Sequence, residues 1–164
     1  MILGLTIPQF TALHVAISLV GIGAGLLALP AFARGRPLPR TTGIFLWATL
    51  LTSLSGFLFP IVAFTPALGV GILSTLILAL AFHAYYGRKL AGRAATVYAV
   101  TATLALYLNL FVLVVQSFLK VPALNALAPT GTEPPFLAAQ GALFLAAALF
   151  GAIAVRATRR RAVA

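Results

Sequence analysis

Residues 10–40 read FTALHVAISLVGIGAGLLALPAFARGRPLPR. From Phe10 to Ala33 the side chains are apolar or small, with His14 the one titratable group. A helix needs roughly 20 such residues to cross the hydrocarbon core of a bilayer. Three arginines follow at once, Arg34, Arg36 and Arg40. A cleavable signal peptide has its positive charge before a shorter apolar run. The order is reversed here, so this segment is expected to remain as a membrane span.

Four further apolar runs lie downstream. They cover Gly43 to Phe64, about Ala67 to Tyr86, Ala94 to Leu119, and Phe136 to Val155. Their length and their lack of period-two alternation predict helices rather than strands. Gly69 and Gly71 weaken the start of the third, and Pro60 is expected to kink or end the second.

Composition agrees. Sixty-two per cent of the 164 residues are apolar and 7% are charged, where a soluble domain has about 25% charged. Mean hydropathy is +1.13. Such a chain cannot supply a polar skin. A soluble enzyme, a secreted disulfide scaffold and a disordered tail are excluded. Cysteine is absent, which removes thiol chemistry, cysteine metal sites and covalent haem attachment. Glu133 is the only carboxylate side chain. Paired-carboxylate catalysis and an acidic proton relay through the membrane are therefore excluded within one chain.

The basic residues orient the spans. Arg34, Arg36 and Arg40 follow the first span, and Arg88, Lys89 and Arg93 follow the third. Arg156, Arg159, Arg160 and Arg161 follow the fifth. The second loop has no basic residue, and Lys120 alone follows the fourth span. Ten of the eleven basic residues thus occupy alternate connections, which the positive-inside rule assigns to the cytoplasm. The expected fold is an all-α membrane protein. It is a five-transmembrane-helix bundle in one domain over residues 1–164, with the N-terminus outside and the C-terminus cytoplasmic. The outer loop, residues 120–135, carries four prolines, a turn at Thr130-Gly131 and room for one helical turn near 123–128.

At 100° per residue, His14, Ser18, Gly21 and Gly25 share an arc of about 60°. Thr49, Thr52, Ser53, Gly56 and Pro60 form a second stripe. Tyr98, Thr101, Ala105, Asn109, Gln116 and Lys120 form a third, and Gln140, Phe144, Ala147 and Gly151 a fourth. Small and hydroxyl residues face partner helices in membranes. Gly21-x-x-x-Gly25 is read as packing within the chain, with a homodimer seam as the alternative. Trp47 falls opposite the Thr49 stripe and is expected to face lipid.

By depth, His14, Gln116 and Gln140 are expected near the outer face, with Lys120 and Glu133 just above and Asn109 deeper. This is the candidate ligand-binding cluster. His14 could ligate haem iron or bond a quinone carbonyl, or it could simply bond to a neighbour. Gln116, Gln140 and Asn109 have the same two readings. His83 lies near the opposite face, on the order of 20 Å from His14, so the two cannot share one haem. Thr132 is the expected N-cap of the fifth span, with Glu133 in its first turn and able to pair with Lys120. The arginine tail suits anionic lipid headgroups. Nucleic acid is a poor partner for so short a cluster fixed at a membrane.

Four segments, TSLSGFLFP (52–60), FHAYYGRKLAGR (82–93), LYLNLFVLVVQ (106–116) and KVPALNALAPTGTEPPF (120–136), resemble parts of small uncharacterised bacterial inner-membrane proteins. The resemblance implies a bacterial inner (cytoplasmic) membrane and carries over no catalytic residue. Three functions fit the sequence. The first is a non-enzymatic accessory or scaffolding subunit, whose partners would be membrane lipids and a larger complex or a second copy. The second is a redox module holding haem or quinone, and the third a small oligomeric transporter or channel.

Overall fold

Helix α1 (Ile7–Ala33) starts three residues before the expected span, because Thr6 and Gln9 form a capping box. The Gln9 amide donates to Thr6 Oγ1 at 3.4 Å and the Thr6 amide donates to Gln9 Oε1 at 3.0 Å. These bonds satisfy two of the orphan donors at a helix start. The helix closes in a Schellman turn. The Arg36 amide donates to the Ala31 carbonyl and the Gly35 amide to that of Phe32. Gly35 has φ +77°, a conformation that an L side chain resists.

The computed structural model describes residues 1–60 and 65–163, and side chains as far as Arg161. Helix α2 (Pro39–Gly56) begins with proline at its first position and runs 18 residues, about 27 Å at 1.5 Å per residue. It ends four residues before Pro60, the residue expected to kink or end the second span. In a continuous helix the Pro60 ring would clash with the Gly56 carbonyl. The chain therefore leaves the helix at Gly56 through tight turns at Phe57 and Leu58. Residues 61–64 of that expected span lie outside the described residues.

Helix α3 (Pro66–Phe82) is capped by Thr65, whose hydroxyl accepts from the Leu68 amide at 3.2 Å. It widens into a π-helical turn, His83–Gly87. Helix α4 (Arg93–Lys120) follows, then the short α5 (Pro122–Leu127) and the long α6 (Pro134–Val163). All described secondary structure is helical apart from one isolated bridge, Ile2 to Leu5.

Four segments are long and apolar enough to cross a membrane: Ile7–Ala33, Pro66–Gly87, Arg93–Lys120 and Pro134–Arg161. Helix α2 falls short of the other four because its 18 residues include Arg40 as well as Thr41, Thr42, Thr49, Thr52, Ser53 and Ser55.

Helix α4 is central and touches α1, α2, α3, α5 and α6. Its small residues Ala99, Ala102 and Ala105 are buried and let neighbouring backbones approach. Around them pack Leu29, Phe45, Leu46, Leu78 and Tyr98, all essentially inaccessible. Helix α6 lies on α4 along one narrow edge. Gly151 meets Thr103, and the Thr158 hydroxyl lies 3.2 Å from that of Thr96. Its other face exposes Leu137, Phe144, Leu145, Leu149 and Ile153, a surface suited to lipid. Trp47 is exposed as expected, with its edge against Phe82.

Candidate functional site

The polar stripe of α1 meets the polar stripe of α2 rung by rung. His14 Nδ1 lies 2.9 Å from Ser55 Oγ. One turn inward, Ser18 Oγ lies 3.3 Å from Thr52 Oγ1. A Cβ on Gly21 would stand 3.2 Å from Thr49 Oγ1, and one on Gly25 2.8 Å from the Phe45 ring. The two glycines therefore serve close approach within the chain. On its other edge α2 bonds to α3 and α4. Ser53 Oγ lies 3.1 Å from Ser74 Oγ, and Asn109 Nδ2 donates to Thr49 Oγ1 at 3.2 Å.

The Ser55 hydroxyl also lies 3.1 Å from the Thr52 carbonyl. Its one proton goes either there or to Nδ1 of His14, and the ring tautomer follows that choice. In either tautomer Nε2 is not used by Ser55. The ring also meets Phe59 edge-on, with centroids 5.4 Å apart.

The remaining members of the expected cluster find separate partners. Gln140 Nε2 donates to the Phe111 carbonyl on α4 at 3.2 Å, and its Oε1 is buried without a partner. Gln116 is exposed, as is Lys120 at the end of α4. Glu133 lies in the loop between α5 and α6. Its Oε1 accepts from the Thr130 amide at 3.0 Å and the Thr130 hydroxyl at 2.8 Å, and its Oε2 from the Thr132 amide at 3.0 Å. The Thr130 amide leads in holding this carboxyl at about 2, well below its ordinary 4.5; the Thr130 hydroxyl and the Glu133 and Thr132 amides add to it.

Two expectations for this loop are corrected. The Leu137 amide donates to the carbonyl of Glu133, so Glu133, not Thr132, stands at the N-cap position. The Thr132 hydroxyl pairs instead with that of Thr130, at 2.7 Å. The Glu133 carboxylate is directed to Thr130 and Thr132 rather than to Lys120. The turn itself is present, with Gly131 at φ +73°.

His83 is exposed in the π-helical turn, its ring against Gly87. Among the described residues no three His, Cys, Asp or Glu side chains come together.

Three contacts were not anticipated from sequence. Ser55 and Thr49 are the partners of His14 and Asn109. At the arginine-rich end, Arg161 Nη2 donates to the carbonyls of Phe32, at 3.1 Å, and Ala33. These are last-turn carbonyls of α1, where a cation is favoured by the helix dipole. A periodic sequence shows which face is polar; it carries no signal for a bond to a residue more than a hundred positions away.

No protein-family model, curated protein or solved structure matches this chain. The chemistry of the site therefore rests on its own geometry.

Proposed function

We propose that the chain is a five-span protein of a bacterial inner membrane, N-terminus outside and C-terminus cytoplasmic, acting as a non-enzymatic accessory or scaffolding subunit. In this reading α2 makes the second crossing, and α6 presents its apolar face to the membrane. One observation carries the functional part. The intramembrane polar side chains His14, Ser18, Thr49, Ser53, Asn109 and Gln140 each bond to another helix. Polar groups occupied in this way serve helix association. Crosslinking in intact cells followed by gentle extraction tests it. A protein-sized adduct is expected, with a larger complex or a second copy. A bare monomer under every crosslinker overturns it. A C-terminal fusion reporter is expected to read cytoplasmic.

A second reading has one observation in its favour. Nε2 of His14 is not used by Ser55, and the ring is half-buried at the outer end of α1. That atom could bond a quinone carbonyl or ligate haem iron. Retention of a chromophore by the purified protein, and its loss in His14→Ala, would support this redox module over the scaffold.

A further inference from the structure

Where α1 ends, α4 begins and α6 ends, the chain forms an open groove of about 310 Å³. Its walls are Phe32, Pro37, Leu90 and Ala95, with Gly35 and Arg161 at one side. The groove brings together the three basic segments of the sequence, which hold ten of the eleven cationic residues and no carboxylate side chain. An apolar floor beside a dense positive field suits an amphiphile with an anionic head.

Arg161 is fixed there rather than left to wander. Its Nη2 is held by the Phe32 and Ala33 carbonyls, and its Cζ lies 5.8 Å from the centroid of the Phe32 ring. The guanidinium also lies over Gly35, at 3.7 Å from where a Cβ would stand. Its Nε and Nη1 hydrogens make no hydrogen bond among the described residues. Nε and Nη1 remain as separate single donors, each able to give one charge-assisted hydrogen bond to a phosphate oxygen.

Part of the lining is strained. Lys89 and Leu90 have φ of 47° and 60°, a region that a branched side chain such as leucine rarely enters. Leu90 in that conformation lines the groove. Outliers of this kind concentrate at ligand clamps.

We propose that this groove binds the headgroup of an acidic phospholipid, with Arg161 as the phosphate anchor and Leu90, Phe32 and Ala95 against the glycerol and the upper acyl chain. The inference rests on the membrane-spanning reading and is independent of any protein partner.

Native mass spectrometry tests it on the full chain in neutral detergent. The probes are phosphatidylglycerol and phosphatidylcholine of matched chains, with inorganic phosphate as competitor. The wild type is expected to retain phosphatidylglycerol at least about fivefold better. Arg161→Gln should remove that preference. Ala95→Phe, which fills the groove and keeps every charge, should remove it too, so a folding failure of the arginine variant leaves the proposal testable. Lys120→Gln, at the other end of α4, should keep it. Equal retention of both lipids overturns the site. So does a full preference in Ala95→Phe, which would assign it to bulk charge. Displacement of the lipid by inorganic phosphate would make this a free-phosphate site and overturn the lipid assignment. Loss of partner crosslinks with lipid preference intact would remove the subunit reading alone.

Discussion

His14 Nδ1 and Ser55 Oγ meet at 2.9 Å across α1 and α2. The pair forms one end of a ladder continued by Ser18 and Thr52. Ser55→Ala leaves Nδ1 without its partner, and His14→Ala leaves the serine hydroxyl without its ring partner. Each should cost about 1 kcal/mol, within the range for bonds between membrane helices. In the double variant the costs should fall short of additive by about 0.5–1 kcal/mol. Reversible unfolding in mixed micelles measures all three. Strict additivity would mean that the two side chains are neighbours without coupling.

The glycines of α1 supply an internal control. A Cβ on Gly25 would stand 2.8 Å from Phe45 and 2.9 Å from Leu106, whereas one on Gly23 meets nothing within 4 Å. Phe45 is fully buried and cannot swing aside. Gly25→Ala should destabilise by about 1–3 kcal/mol through overpacking. Gly23→Ala should be neutral, or stabilising by up to about 1 kcal/mol as backbone freedom is lost from the unfolded chain. The same micelle assay reads both, and equal effects would refute the close α1–α2 approach.

The helix limits of α1 and α4 were legible to within a few residues, because a long apolar run bounded by charge or proline has few alternatives. The end of α2 was legible in part. Pro60 marks a kink or an end, but Phe57 to Phe64 is as apolar as the run before it, and nothing in hydropathy shows that the helix stops four residues earlier, at Gly56. The polar faces were legible from their 3.6-residue period. Their partners were not: depth alone grouped His14 with Gln116 and Gln140, while the antiparallel register of α1 and α2 sets His14 on Ser55. Arg161 read only as one of a tail of arginines suited to lipid headgroups, since its bond to Ala33 spans 128 positions of sequence.

Gln140 separates structure from binding. Its Nε2 bonds to a carbonyl on α4 while its Oε1 is buried and unpartnered. A buried acceptor left unmade costs about 1–3 kcal/mol, more than a typical bond returns. Gln140→Leu should therefore be neutral or stabilising in thermal unfolding. Marked destabilisation would show that the amide oxygen has a partner in the membrane, and loss of a bound small molecule in the same variant would identify that partner as a ligand.

Glu133 makes the loop between α5 and α6 sensitive to acid alone. Its carboxyl is held at about 2 against an ordinary 4.5, chiefly by the Thr130 amide. A group whose pKa is depressed by folding contributes order that is complete above its unfolded value and lost as pH falls through its folded one. The loop should therefore stay ordered down to the ordinary carboxylate range, then loosen progressively between about 4.5 and about 2. The site is solvated, so the effect should be local, weakened by salt, and without a change in global unfolding. Hydrogen exchange at the Thr130 and Thr132 amides across that pH range is the measurement, corrected for the intrinsic rate. Glu133→Gln should exchange fast at neutral pH and show no further acid transition. Protection lost in the wild type as soon as pH reaches the ordinary carboxylate value would mean that the carboxylate does not hold the loop.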